Sequence, residues 1–143
     1  MSKSLVVYFS RGGKTKKVAE TIAQELECGN VDTAKTVPDL SEVDLLLVGS
    51  GTYGGKPDKK LLSFLDGLKP VKGGKSAIFT TSAGPNPKSI DVMKEKLEAK
   101  GYEVISTFDC RGQFLIGNRG HPDDADLKDA TAFAANIKKK AVS

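Results

Sequence analysis

The most constraining feature of this chain is a junction near its start. Ser4-Leu5-Val6-Val7-Tyr8-Phe9, continuously apolar after its serine, gives way to Ser10-Arg11-Gly12-Gly13-Lys14-Thr15. A run of β-branched and aromatic residues without polar alternation suits a strand covered on both faces, as in a parallel sheet. Beyond the glycines, Val18, Ala19, Ile22, Ala23 and Leu26 recur at helical spacing, so Thr15 to Leu26 is expected to be an amphipathic helix. Strand, polar turn and helix in that order aim the first-turn N–H groups of the helix, and the positive end of its dipole, at the space beyond the strand's carboxyl end. Ser10 and Thr15 add hydroxyls there, Arg11 and Lys14 add positive charge, and Gly12-Gly13 permit close backbone approach. An anion cradle is the expected result, and phosphate the expected anion.

Spacing narrows the kind of cradle. A nucleoside-triphosphate loop, Gly-x-x-x-x-Gly-Lys-Ser/Thr, would end at Gly13-Lys14-Thr15 but needs its first glycine at Tyr8. The dinucleotide fingerprint Gly-x-Gly-x-x-Gly fails as well, because Gly12 and Gly13 are adjacent and Thr15 and Lys16 follow. A hydroxyl-rich loop of this kind suits a terminal monophosphate.

The remaining chain repeats the strand-to-helix pattern. Val31 to Val37 is expected to be a short edge strand, and Val43 to Ser50 a second buried strand. The following stretch, Ser50 to Pro57, reads as a loop in which Tyr53, flanked by glycines, presents a flat face to a planar heterocycle. Leu61, Leu62, Phe64, Leu65 and Leu68 mark a helix with Pro57 near its first turn. Ser76 to Thr81 is the next strand, and it runs into a loop of small residues, Ser82-Ala83-Gly84-Pro85-Asn86-Pro87. Ile90 to Lys100 forms a helix stopped at Gly101, Tyr102 to Phe108 the last strand, Asp109 to Pro122 an excursion, and Asp123 onward the final helix. Strands alternating with helices throughout argue for an α/β fold, a parallel sheet between helices.

The motif Ser10-x-Gly12-Gly13-x-Thr15 after an apolar strand resembles the phosphate loop Ser/Thr-x-Thr-Gly-x-Thr of the flavodoxin family, with Gly12 where that family usually carries a hydroxyl residue. Nearly the whole chain resembles that family in the order and spacing of its elements. The resemblance implies a flavodoxin-like three-layer sandwich, its five-stranded parallel sheet ordered 2-1-3-4-5 with helices on both faces, and FMN beside the first strand. It implies that Ser10, Arg11, Gly12, Gly13, Lys14 and Thr15 hold the FMN phosphate. Thr52, Tyr53, Gly54 and Gly55 would then grip the isoalloxazine from one side and Ser82, Ala83 and Gly84 from the other, with the Gly54 or Gly55 peptide answering the protonation of flavin N5. The implied function is electron transfer between redox partner proteins. An FMN-dependent NAD(P)H:quinone or flavin reductase and a flavin-free binding domain of the same fold are the alternatives.

At 143 residues one domain, residues 1–143, is expected, without need of disulfides or metals. Cys28 and Cys110 lie in no metal-ligand or redox spacing, so no metal centre is expected and a reducing cytoplasm is the expected setting. His121 precedes a proline in the excursion and has no carboxylate partner in sequence, so no catalytic acid–base constellation is expected. The first apolar run is too short for a signal core or membrane span. Net charge is +4, with lysines spread over several helices; solvated faces rather than nucleic-acid binding are expected, in a monomer. That sign opposes the acidic surface the family resemblance implies, which makes the usual basic partner a poor match.

Overall fold

A computed structural model of the protein describes residues 4–9, 14–32, 40, 43–53, 56–57, 59–70, 73–82, 88–111 and 124–142. Its strands are β1 (Ser4–Phe9), β2 (Gly29–Asp32), β3 (Leu45–Tyr53), β4 (Lys56–Pro57), β5 (Gly74–Ser82) and β6 (Tyr102–Arg111). Its helices are α1 (Lys14–Leu26), α2 (Lys59–Asp66), α3 (Lys88–Ala99) and α4 (Asp124–Val142). The sheet runs β2-β1-β3-β5-β6, every neighbouring pair parallel, and β4 adds antiparallel to the end of β3. Counting only the parallel strands, this is the expected order 2-1-3-4-5.

The absence of alternation in β1 and β3 has its reason in the two cores. Val6, Tyr8, Leu45, Leu47, Ala77 and Phe79 face α1 and α4, packing with Val18, Ile22, Phe133 and Ile137. Val7, Phe9, Leu46, Val48 and Ile78 face α2 and α3, packing with Leu61, Leu65, Met93 and Leu97. Both faces are dry, so both strand parities must be apolar.

One sheet row departs from bulk on bulk. Tyr8, Gly49, Phe79 and Phe108 are successive partners across β1, β3, β5 and β6. The Phe79 ring occupies the space a Gly49 side chain would need. Phe108, next in the row, stacks on Phe133 of α4 with ring centroids 5.2 Å apart. It reaches that face because Ser76 pairs with Val104 while Ala77 pairs with Ser106, leaving Ile105 as an extra residue that changes the strand's phase. Val104 thereby serves the α2–α3 core and Ile105 and Phe108 the α1–α4 core.

Several boundaries differ from the sequence expectation. α1 ends at Leu26 as expected, because Glu27 turns left-handed, with φ 55°. The Cys28 N–H donates to the Ala23 carbonyl at 3.0 Å and the Glu27 N–H to that of Gln24 at 3.2 Å, a Schellman closure. The chain therefore enters β2 at Gly29, opposite Leu5, rather than at Val31; residues 33–37 of the expected strand lie outside the described residues. β3 continues through Ser50 to Tyr53 where a loop was expected, and Pro57 pairs with Thr52 in β4 instead of opening α2. Only Gly54-Gly55 separates the paired Tyr53 and Lys56, a two-residue hairpin signal, and proline is tolerated on an edge strand. β6 extends to Arg111, so Asp109 and Cys110 belong to the strand. Gly101, with φ 92°, ends α3 as expected.

Two stability predictions arise here. A side chain in the left-handed conformation costs roughly 1–2 kcal/mol and glycine's extra chain entropy about 0.5–1 kcal/mol, so Glu27→Gly is expected to stabilise the protein by about 0.5–1 kcal/mol net. A thermal melt should rise by roughly 2–4 °C, and a fall would contradict the reading of Glu27 as a strained cap. The second concerns alkaline pH. Burial, then the carboxylates of Asp32 and Glu20, push the Tyr8 phenol above its ordinary 10.0. Burial also raises Tyr102 from 10.0 and the Cys28 thiol from 9.0. The folded protein keeps these protons at pH values where the unfolded chain loses them. Stability is therefore full below about pH 9 and declines as pH rises beyond it. Urea midpoints should fall across about pH 9–11, and Tyr8→Phe should shallow that fall.

Candidate functional site

From β1 the chain passes through α1 to β2 on one side, and from β3 through α2 to β5 on the other. The strand order reverses between β1 and β3, and the diverging connections leave a crevice beyond their carboxyl ends. α1 packs on one sheet face and α2 on the other, so their amino ends flank that crevice from both sides.

Thr15, second residue of α1, is 2% exposed, so its hydroxyl sits within the body of the protein at the helix's positive end. Lys14 is the first residue of α1. Ser10, Arg11, Gly12 and Gly13 lie outside the described residues, between the end of β1 and the start of α1. Thr52 and Tyr53 are the last residues of β3, and Gly54 and Gly55 lie outside the described residues, between β3 and β4. Ser82 ends β5, opposite Arg111, while Ala83 and Gly84 lie outside the described residues. The three expected segments thus depart from β1, β3 and β5, which are adjacent strands. Cys110 is paired with Thr81 in β6, one strand further from the crevice, and His121 lies outside the described residues.

The sequence reading missed several polar groups at this edge. Ser50 and Thr80, cross-strand partners near the ends of β3 and β5, are fully buried, and the Ser50 hydroxyl donates to the Gly51 carbonyl at 2.7 Å. Lys60 places its Nζ 5.4 Å from the ring centroid of Phe9, the last residue of β1. Neither α1 nor α2 has an acid in its first turn; instead Lys16, Lys17, Lys59 and Lys60 are exposed there. The helix dipole disfavours each such cation by about 0.3–1 kcal/mol, which is the sequence signal that could have found them. Among the described residues no group of three or more His, Cys, Asp or Glu is placed to hold a metal ion.

Sheet order, crevice and buried helix-start hydroxyl together define a doubly wound α/β protein of the kind that binds an anionic ligand at its switch point. The flavodoxin domain matches residues 5–115, and the chain belongs to that family. It is similar, at 37% identity over 149 residues, to an uncharacterized protein of Methanocaldococcus jannaschii, with 96% of this chain and 99% of that one covered. It is 33% identical over 120 residues to a flavodoxin of Maridesulfovibrio salexigens, with 73% and 82% covered. Among solved structures, a flavoprotein from Lactobacillus acidophilus in complex with FMN shares the fold with TM-score 0.63 and 27% identity, covering 76% of this chain and 93% of that one. Proteins of this family bind flavin. No helix among the described residues is long and apolar enough to cross a membrane.

Of the expected phosphate residues the described ones are Lys14 and Thr15, a cation and a hydroxyl at the start of α1, types that suit a phosphate group, and the buried position of Thr15 keeps its hydroxyl out of competition with bulk water.

Proposed function

We propose that this chain is a single-domain FMN-binding electron carrier that passes electrons between two redox proteins. The observation that carries the reading is Thr15: a buried hydroxyl at the start of α1, beside the β1–β3 switch point, in a chain of the flavodoxin family. In this reading Ser10 to Thr15 bind the phosphate through hydroxyls, backbone N–H groups and the charges of Arg11 and Lys14. Tyr53 orients the ring by stacking and excludes water from one face. Ser82, Ala83 and Gly84 bound the other side. Gly54 or Gly55, lacking Cβ, lets a peptide group reorient toward flavin N5 as that atom gains or loses a proton. FMN, when bound, supplies the electron chemistry, and no side chain of this protein need act as acid or base.

Titration of apoprotein with FMN tests this. Quenching of flavin fluorescence at one equivalent, with perturbed visible flavin bands, is the expected result. A protein that leaves FMN unchanged rules the reading out and leaves a flavin-free binding domain. Steady NADPH oxidation with a quinone and no added reductase would instead identify a reductase.

A further inference from the structure

The lysines at the starts of α1 and α2 have a location in common that the sequence does not display. α1 packs with Val6 and Tyr8 and α2 with Val7 and Phe9, on opposite faces of the same strand. Lys16 and Lys17 therefore stand on one side of the β1–β3 crevice and Lys59 and Lys60 on the other, all exposed, with Lys60 anchored over the Phe9 ring. Among the described residues, neither α1 nor α2 has an acid in its first turn. Asp32, last residue of β2, and Glu20 of α1 are close enough to act on the Tyr8 phenol. Among the described residues the first turns of both helices thus carry only positive charge, and acid follows at Glu20, one turn further along α1, and at Asp32 on β2.

We infer that Lys16, Lys17, Lys59 and Lys60 form a basic collar that docks an acidic electron-transfer protein over the crevice. The inference rests on the carrier reading and names the class of partner that reading leaves open. A partner must bring its redox centre to the crevice for rapid electron transfer, and it meets positive charge there first. Complementary charge at that point raises encounter rates and suppresses basic proteins through like-charge contact. A solvated surface of mixed lysines would show neither effect at this edge in particular.

The test compares the protein with the variant Lys16→Gln, Lys17→Gln, Lys59→Gln, Lys60→Gln, in which Arg11 and Lys14 are kept. All four side chains are exposed, and removing cations from helix starts favours the helices, so the variant should fold. Each protein is loaded with FMN, reduced with dithionite, freed of excess reductant and mixed with ferricyanide or with hexaammineruthenium(III). Two ferricyanides, each passing from Fe(III) to Fe(II), oxidise one reduced FMN, whose protons go to the buffer. The native protein should react with ferricyanide about tenfold faster than the variant at low ionic strength, the difference vanishing in high salt, while the ruthenium cation shows the opposite preference. Equal rates for the two proteins would overturn the collar.

A second measurement needs no flavin. A twenty-residue polyglutamate peptide should bind the native protein with salt-sensitive affinity at least about tenfold above that for the variant. Absence of that difference also overturns the proposal, as does tighter binding of a DNA duplex of equal charge, which would make the collar a nucleic-acid surface. If FMN does not bind while polyglutamate does, the carrier reading has failed and the acidic-partner surface stands.

Discussion

Gly49→Ala is expected to destabilise the protein by about 3 kcal/mol, the upper part of the usual overpacking range. A Cβ at this position would fall inside the van der Waals envelope of Cζ, Cε1 and Cε2 of Phe79. The ring has no room to retreat: Phe79 is 0% exposed, and its row neighbours are Tyr8 beyond Gly49 and Phe108, which is itself stacked on Phe133. Moving the ring would displace a packed set rather than one side chain. Urea unfolding gives the cost, and a double-mutant cycle identifies its source. In a Phe79→Leu background, where the ring is gone, Gly49→Ala should cost under about 1 kcal/mol, because the smaller side chain leaves space for the methyl group. Equal costs in both backgrounds would show that backbone conformation at residue 49, and not the ring, demands glycine.

Thr15→Val should weaken FMN binding by about 10- to 100-fold, the loss of one hydrogen bond from a hydroxyl to a charged phosphate. Valine keeps the shape of threonine, so the 2%-exposed site stays filled and the change is confined to the hydroxyl. Thr15→Ser, which retains the hydroxyl and drops the methyl, should restore most of the affinity. If serine fails while valine succeeds, Thr15 serves packing alone and the phosphate is held by other groups. The effect is expected in the dissociation constant measured by fluorescence quenching, with riboflavin as the control: lacking the phosphate, riboflavin should bind both proteins equally weakly.

Much of this protein could be read from its residues because the informative signals were local. An apolar run without alternation identifies a strand that is dry on both faces, and Val6 and Val7 do pack into different cores. A 3.6-residue period identifies a helix, and a glycine with positive φ closes one, as Gly101 does at the end of α3. Ser10 to Thr15 could be proposed as a phosphate loop for the same reason: an apolar run, glycines and a helical period are contiguous in the chain. The order 2-1-3-4-5 came only with the family resemblance, since parallel pairing joins residues far apart in sequence.

Boundaries failed where a distant partner decided them. Ser50 to Tyr53 has the composition of a loop, yet Gly51 lies opposite Thr81, and Thr52 and Tyr53 pair with β4, so hydrogen bonding from neighbours extends β3. Nothing in the run Val43 to Ser50 marks Gly49 as irreplaceable, and only the Phe79 ring across β3 and β5 explains why nothing larger fits. Lys16 and Lys59 are separated by most of α1 and three strands in the chain, so no window of sequence could place them on one edge. Composition and period determine which elements form, because those are energies of a residue with its near neighbours. Where the elements end, which glycine is irreplaceable and which charges share a surface are set by contacts between strands and helices, and exist only once the sheet has closed.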